Sequence, residues 1–208
     1  PEKQAGGQKE TDKDWKEMLK SPIFYLMILL LMSGAFSGMM IISQASAVGM
    51  EMIGLSVAAA GIAVSVLALF NSFGRILAGF LSDKIGRVQT LTLACFLSVG
   101  GNVLLYLCGK GDLILFYIGI SIVGICFGAF MGVFPGFTAD QFGAAHNSVN
   151  YGIMFIGFAM AGYFGPTIMK NVYYENGSYT QAFLIAAGLS VSGIILTVLY
   201  RMCKKREK

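Results

Sequence analysis

The chain has 208 residues, of which 56% are hydrophobic and only 12% are charged, and its mean hydropathy is +0.70. This composition is typical of a polytopic membrane protein. The net charge of +4 comes from basic residues clustered at the two ends of the chain, so nucleic-acid binding is not expected.

Residues 1–21 are polar, mixed in charge and without a signal-peptide pattern, and the chain begins without Met. We predict that they form a cytoplasmic linker, in which Asp14 to Lys20 can fold as a short interfacial helix. A mixed-charge opening of this kind suits a linker between two membrane halves better than a natural N-terminus.

Six apolar segments follow, each near the length of about 20 residues that a membrane helix needs. We therefore predict an all-α membrane domain over 22–201 and a basic tail over 202–208. The predicted spans are Ile23–Val48, Leu55–Leu81, Val88–Cys108, Leu113–Thr138, Ser148–Met169 and Tyr179–Tyr200.

Basic residues lie in the N-terminal segment, in the turn after the second span and in the tail. The positive-inside rule places all three on the cytoplasmic side, which an even number of spans permits. We expect a multi-pass protein of the cell membrane with both termini cytoplasmic and the lipid bilayer as its surroundings.

Glycines recur every four residues along the fourth span, at Gly124, Gly128, Gly132 and Gly136. Such a ladder lets membrane helices approach each other closely, and packing is its expected role. Pro135 should kink or loosen the same helix.

Arg75 lies in the second span, about 12 Å inside the helix end marked by Asp83. A cation near the bilayer centre costs on the order of 3 kcal/mol on insertion scales, so it is rarely present without a function. The predicted spans contain no Asp or Glu. The counter-ion must therefore come from an anionic substrate or from a carboxylate of a missing partner.

Other polar and aromatic side chains share helix faces that can line a cavity with Arg75. Asn71 lies one turn before Arg75 on the same face. Ser33, Ser37, Met40 and Gln44 align on the first span, although hydrogen bonds between helices explain Ser and Gln equally well. Tyr151, Phe155 and Phe158 align on the fifth span.

The segment GFLSDKIGR ends the second span. It resembles the signature of the major facilitator superfamily, with its positions at Gly79, Leu81, Asp83, Lys84, Gly86, Arg87 and Leu91. The resemblance implies a gating role for Gly79, Asp83, Lys84, Gly86 and Arg87. It also implies that the six helices form one half of a transporter, built from two inverted three-helix repeats and partnered by an N-terminal six-helix half.

The segment FPGFTADQFGAAHNSVNYGIMF, from Phe134 to Phe155, is similar to the C-terminal half of the oxalate/formate antiporter family. That resemblance implies a carboxylate held between the two halves, with Arg75 as the substrate-binding arginine and Phe127, Met131, Phe155 and Phe158 around it. Oxalate carriers have a second cation, a lysine, at a position that is apolar here, at or near Phe158.

A dianion in a low-dielectric cavity needs two positive partners, whereas one arginine neutralises a monoanion. The sequence therefore predicts alternating-access transport of a small monocarboxylate such as lactate, pyruvate or formate, bound by Arg75. Two alternatives remain: antiport of oxalate or another dianion, and a non-transporting membrane module in which Arg75 pairs with a partner carboxylate. No catalytic, metal or cofactor motif is visible, and the protein is not expected to be an enzyme.

Overall fold

The structure, a computed structural model, describes residues 12–206. It contains a short helix, α1, and six helical spans that are long and apolar enough to cross a membrane. The short helix α1 is Trp15–Lys20. The spans are formed by α2 (Pro22–Val48), which a π-helical turn continues over Gly49–Ile53, α3 (Val57–Ile85), α4 (Arg87–Leu107), α5 (Leu113–Phe142), α6 (Asn147–Met154), α7 (Ile156–Asn176) and α8 (Thr180–Arg206).

The six predicted spans are confirmed as helices, but several run further than predicted. α5 continues through Pro135 to Phe142, beyond its predicted end at Thr138, and α7 continues to Asn176. α8 extends into the predicted tail as far as Arg206. Hydropathy marks only the apolar part of each helix, whereas the hydrogen-bonded backbone runs on into the polar ends.

The fifth span, predicted as one continuous helix, is broken. α6 ends at Met154 and α7 begins at Ile156, with Phe155 between them. The break is not at a proline, since Pro166 lies inside α7. It therefore separates a short segment carrying Tyr151 from the rest of the span.

The helices form two layers related by an internal repeat. The front layer is a row of four helices in the order α3, α5, α2 and α7, in which each helix packs on the next. In the back layer α4 packs on α5, α8 packs on α2, and the two contact each other. The contacts of α2–α4 are thus repeated by α5–α8, as two three-helix repeats require.

The glycine ladder of α5 lies against the backbone of α3. A Cβ atom at Gly132 would lie 2.5 Å from the Arg75 carbonyl oxygen, and one at Gly128 would overlap the carbonyl oxygen of Asn71. These distances confirm that the glycines serve packing, because no side chain fits between the helices. They also fix the position of Arg75 relative to α5.

A buried polar cluster joins α2 to the back layer. Ser98 Oγ lies 3.1 Å from Ser37 Oγ and 2.9 Å from Ser190 Oγ, and the Asn102 amide donates to Ser37 Oγ at 2.8 Å. Ser37 therefore forms hydrogen bonds between helices and does not face a cavity with Gln44.

The end of the predicted linker is docked on the bundle. Asp14 and Glu17 form a capping box at the start of α1, and Met18 is fully buried in the core. The Lys13 backbone donates to the Phe142 carbonyl at 2.9 Å. Part of the predicted linker therefore packs against the membrane domain, while residues 1–11 and 207–208 lie outside the described residues.

Candidate functional site

Arg75 lies in the middle of α3, on the front layer, and its side chain is exposed. The ion pairs of the described residues both involve Arg87, so no described carboxylate lies within 4.0 Å of the Arg75 guanidinium. Asp83, the next carboxylate along α3, is two turns away, about 12 Å. The charge of Arg75 is therefore not neutralised within the part of the chain that the structure describes.

Tyr151 on α6 is close enough to Arg75 for the guanidinium to interact electrostatically with its phenol. An aromatic row begins at Tyr151 and continues through Phe155, Phe158 and Phe127. The ring centroids are separated by 5.6, 4.4 and 6.1 Å in that order. The structure thus brings four of the predicted site residues into one aromatic row, which starts at Tyr151 within electrostatic range of Arg75.

Met131 and Asn71 also lie in this region. Met131 and Phe158 both pack against the buried cluster that holds Phe127 and Ala161. Asn71 lies one turn from Arg75, and its Oδ1 atom is buried without a hydrogen bond to any described residue. Asn71 therefore places a polar side chain one helical turn from the cation, with its carbonyl oxygen enclosed by the protein.

Gln44 is not brought to the same place. Gly38 of α2 lies against the Phe127 ring, and Gly132 lies against Arg75. Counting along both helices from these contacts places Gln44 about 16 Å from Arg75 in the membrane direction. The helix face of Gln44 is compatible with a cavity, but its backbone lies at a different depth from that of Arg75.

The charged turn is held by Arg87. Its guanidinium contacts Asp83 Oδ1 at 2.7 Å and Asp140 Oδ2 at 3.0 Å, and it also donates to Ser82 Oγ. Gly86 has a φ of 93°, which permits the abrupt change from α3 to α4. Lys84 Nζ lies 4.3 Å from the centre of the Phe80 ring.

Sequence reasoning missed the partnership between Arg87 and Asp140. Asp140 lies beyond the predicted end of the fourth span at Thr138, but in the structure it belongs to the last turn of α5 and faces the start of α4. Gly136 gives the guanidinium room, since a Cβ there would lie 3.2 Å from it. One feature of the sequence could have indicated this contact. Asp140 is a single carboxylate four residues after Gly136, the last glycine of the ladder, on the helix that packs against α3 and α4.

Comparison with known sequences agrees with this architecture. The sequence profile of the Major Facilitator Superfamily matches residues 1–147 and 48–208 in overlapping matches. The chain is 31% identical over 192 residues to the oxalate:formate antiporter of Oxalobacter formigenes, covering 88% of this chain and 45% of that protein. It is 29% identical over 158 residues to the uncharacterized MFS-type transporter YhjX of Escherichia coli K12, covering 76% and 39%.

A third relative is the probable nitrate transporter NarT of Staphylococcus epidermidis, which is 28% identical over 149 residues, or 72% of this chain and 37% of that protein. The chain therefore spans less than half the length of these relatives.

Solved structures share the fold. A peptide transporter POT in complex with sulfate superposes with a TM-score of 0.75 at 15% identity, over 86% of this chain and 37% of that one. An auto inhibited POT family peptide transporter gives a TM-score of 0.73 at 16% identity, over 88% and 37%. The six-helix arrangement is therefore that of part of a known transporter fold.

Proposed function

Because this chain belongs to the major facilitator superfamily, we propose that it forms the C-terminal half of a secondary transporter of small monocarboxylates such as lactate, pyruvate or formate. The observation that carries the proposal is the guanidinium of Arg75 on the front layer, which pairs with no carboxylate of residues 12–206 and lies within electrostatic range of Tyr151. A carboxylate can accept two parallel hydrogen bonds from this guanidinium.

The front layer is also the surface on which an N-terminal six-helix half would close. In the most apolar stretches of α3 and of the α6–α7 span, only 22% and 28% of residues are buried, against 56% in α2 and α5. Two such halves rocking about Arg75 would expose the anion to each side of the membrane in turn. With both termini cytoplasmic, the charged turn would lie at the inner end.

A single charge favours a monoanion over a dianion. The resemblance to oxalate carriers implies a lysine at or near Phe158, an apolar residue that stacks on Phe155 at 4.4 Å. A second carboxylate placed there would be desolvated without a positive partner, which is costly.

The substrate is tested with the full-length transporter in proteoliposomes. We expect labelled lactate or formate to be taken up, and unlabelled lactate, pyruvate and formate to compete more strongly than oxalate. Stronger competition by oxalate would support the oxalate/formate type of antiport instead. Nitrate is included as a competitor because the chain is similar to a probable nitrate transporter. Competition by nitrate alone would favour an inorganic anion as the substrate. Absence of any uptake or ligand-induced thermal stabilisation would favour the non-transporting module.

The Phe158→Lys variant tests the charge argument. A second cation near Arg75 should raise oxalate uptake relative to lactate uptake by about tenfold, because it would pair with the second carboxylate. Phe158→Leu removes the ring without adding charge and should leave the preference unchanged. An unchanged ratio of the two uptake rates in Phe158→Lys would argue against a site between Arg75 and Phe158.

We propose that the contacts of Arg87 hold one gating state of the transporter. In Asp140→Asn the charge that bridges α4 to α5 is lost, so we expect uptake to fall several-fold, and the melting temperature by a few degrees, since such partly exposed pairs contribute about 1 kcal/mol or less. Asp112→Asn, at the opposite end of the bundle, serves as the control. Equal uptake by the two variants would contradict a gating role for this contact.

A further inference from the structure

A basic cavity lies at the end of the bundle where α4, α5 and α8 meet. Its volume is about 500 Å³, and its charged lining consists of Arg87, Arg201, Lys204 and Lys205 against the single carboxylate of Asp140. Arg87 already pairs with Asp140. Arg87 also pairs with Asp83, so the three cations in the last turns of α8 leave this end of the bundle with an excess of two positive charges.

These three cations have no carboxylate partner among the described residues. Arg201 donates to Thr92 Oγ1 at 3.3 Å, and Lys204 donates to Gln141 Oε1 at 3.1 Å. Both acceptors are neutral, so they orient the side chains without cancelling their charge. An anion entering the cavity would meet cations that are already positioned.

The surface next to the cavity is apolar and belongs to the back layer. Val198, Arg201, Met202 and Lys205 fall on one face of α8, and Val198 and Met202 are 49% and 53% exposed. On α4, Phe96 is 58% exposed and lies one turn beyond Thr92. A ligand with a phosphate and hydrocarbon chains would satisfy both parts of this surface at once.

We propose that this cavity binds the headgroup of an acidic phospholipid, with its acyl chains lying along the exposed faces of α4 and α8. The site lies on the layer opposite Arg75, so it does not overlap the proposed substrate site. Basic pockets between membrane helices bind phosphate headgroups in this way, and each cation near the surface strengthens binding by about fivefold. The bound lipid would hold the ends of α4, α5 and α8 together beside the contact between Arg87 and Asp140.

The test uses the purified full-length transporter in neutral detergent. We expect dioleoyl phosphatidylglycerol to raise its melting temperature and to co-purify with it in native mass spectrometry, while dioleoyl phosphatidylcholine does neither. In Arg201→Gln/Lys204→Gln, the affinity for phosphatidylglycerol should fall about 30-fold. Lys16→Gln/Lys20→Gln removes the same charge from α1 at the same end of the bundle and should behave as the wild type.

Several results would overturn the proposal. The first is that phosphatidylglycerol stabilises the Arg201→Gln/Lys204→Gln variant as much as it stabilises the wild type. The second is that the α1 control loses as much affinity for the lipid as this variant does. The third is that inorganic phosphate stabilises the wild type as much as the lipid does. Should the double variant fail to fold, Lys205→Gln serves instead, because that exposed side chain makes no hydrogen bond to a described residue. Its melting temperature in phosphatidylcholine should be unchanged, and its affinity for phosphatidylglycerol should fall about fivefold.

Discussion

Replacement of Arg75 by Gln in the full-length transporter is expected to lower kcat/KM for a monocarboxylate on the order of 100-fold or more. In the proposed complex the carboxylate is removed from water and neutralised by one guanidinium. Removal of one partner from a buried pair costs about 3–5 kcal/mol, because the other charge is left uncompensated. Uptake of labelled lactate or formate into proteoliposomes measures the effect.

The companion variant Arg75→Lys separates charge from geometry. Lysine retains the positive charge but cannot offer the planar, bidentate donor pair, so an intermediate loss of about tenfold is expected. Lys110→Gln, in an exposed turn between α4 and α5, is the control for net charge and should transport normally. If Arg75→Gln takes up substrate at the wild-type rate, Arg75 is not the substrate site. If uptake by Arg75→Gln is restored when a carboxylate of a partner is also replaced by a neutral residue, Arg75 forms an internal ion pair.

The sequence was sufficient to predict the spans and the helix faces of the candidate site, because both depend on patterns within single helices. Apolar segments of the right length identify the membrane helices, and a cation without a carboxylate nearby in the same span can be recognised from the sequence. The face shared by Asn71 and Arg75, and the aromatic face of the fifth span, follow from helical periodicity alone. The resemblance to a transporter family then supplied the missing partner half as an expectation.

What could not be predicted is the depth of one helix relative to another. Gln44 and Arg75 both lie on plausible cavity faces, but the contacts of Gly38 with Phe127 and of Gly132 with Arg75 place them about 16 Å apart along the membrane. The pairing of Arg87 with Asp140 is a tertiary contact of the same kind, between helix ends that hydropathy does not delimit. The break at Phe155 could not be predicted because no proline or charged residue lies there.

The glycine ladder supplies the second large effect, since it sets the position of the cation itself. In Gly128→Ala the added Cβ would overlap the Asn71 carbonyl oxygen, which belongs to the backbone and cannot rotate away. α3 must therefore move outward from α5, and overpacking of this kind costs about 1–3 kcal/mol or more. We expect a melting temperature lower by several degrees and a loss of uptake larger than the loss of folded protein, because Arg75 moves with α3.

Gly100→Ala is the matched control, because the substitution is the same and the added Cβ meets no atom within 4 Å on the exposed side of α4. Alanine favours a helix over glycine by about 1 kcal/mol in water, so this variant should be neutral or slightly more stable. The same change is thus expected to act in opposite directions at two glycines. If Gly128→Ala melts and transports like Gly100→Ala, close contact between α3 and α5 does not determine where the anion is bound.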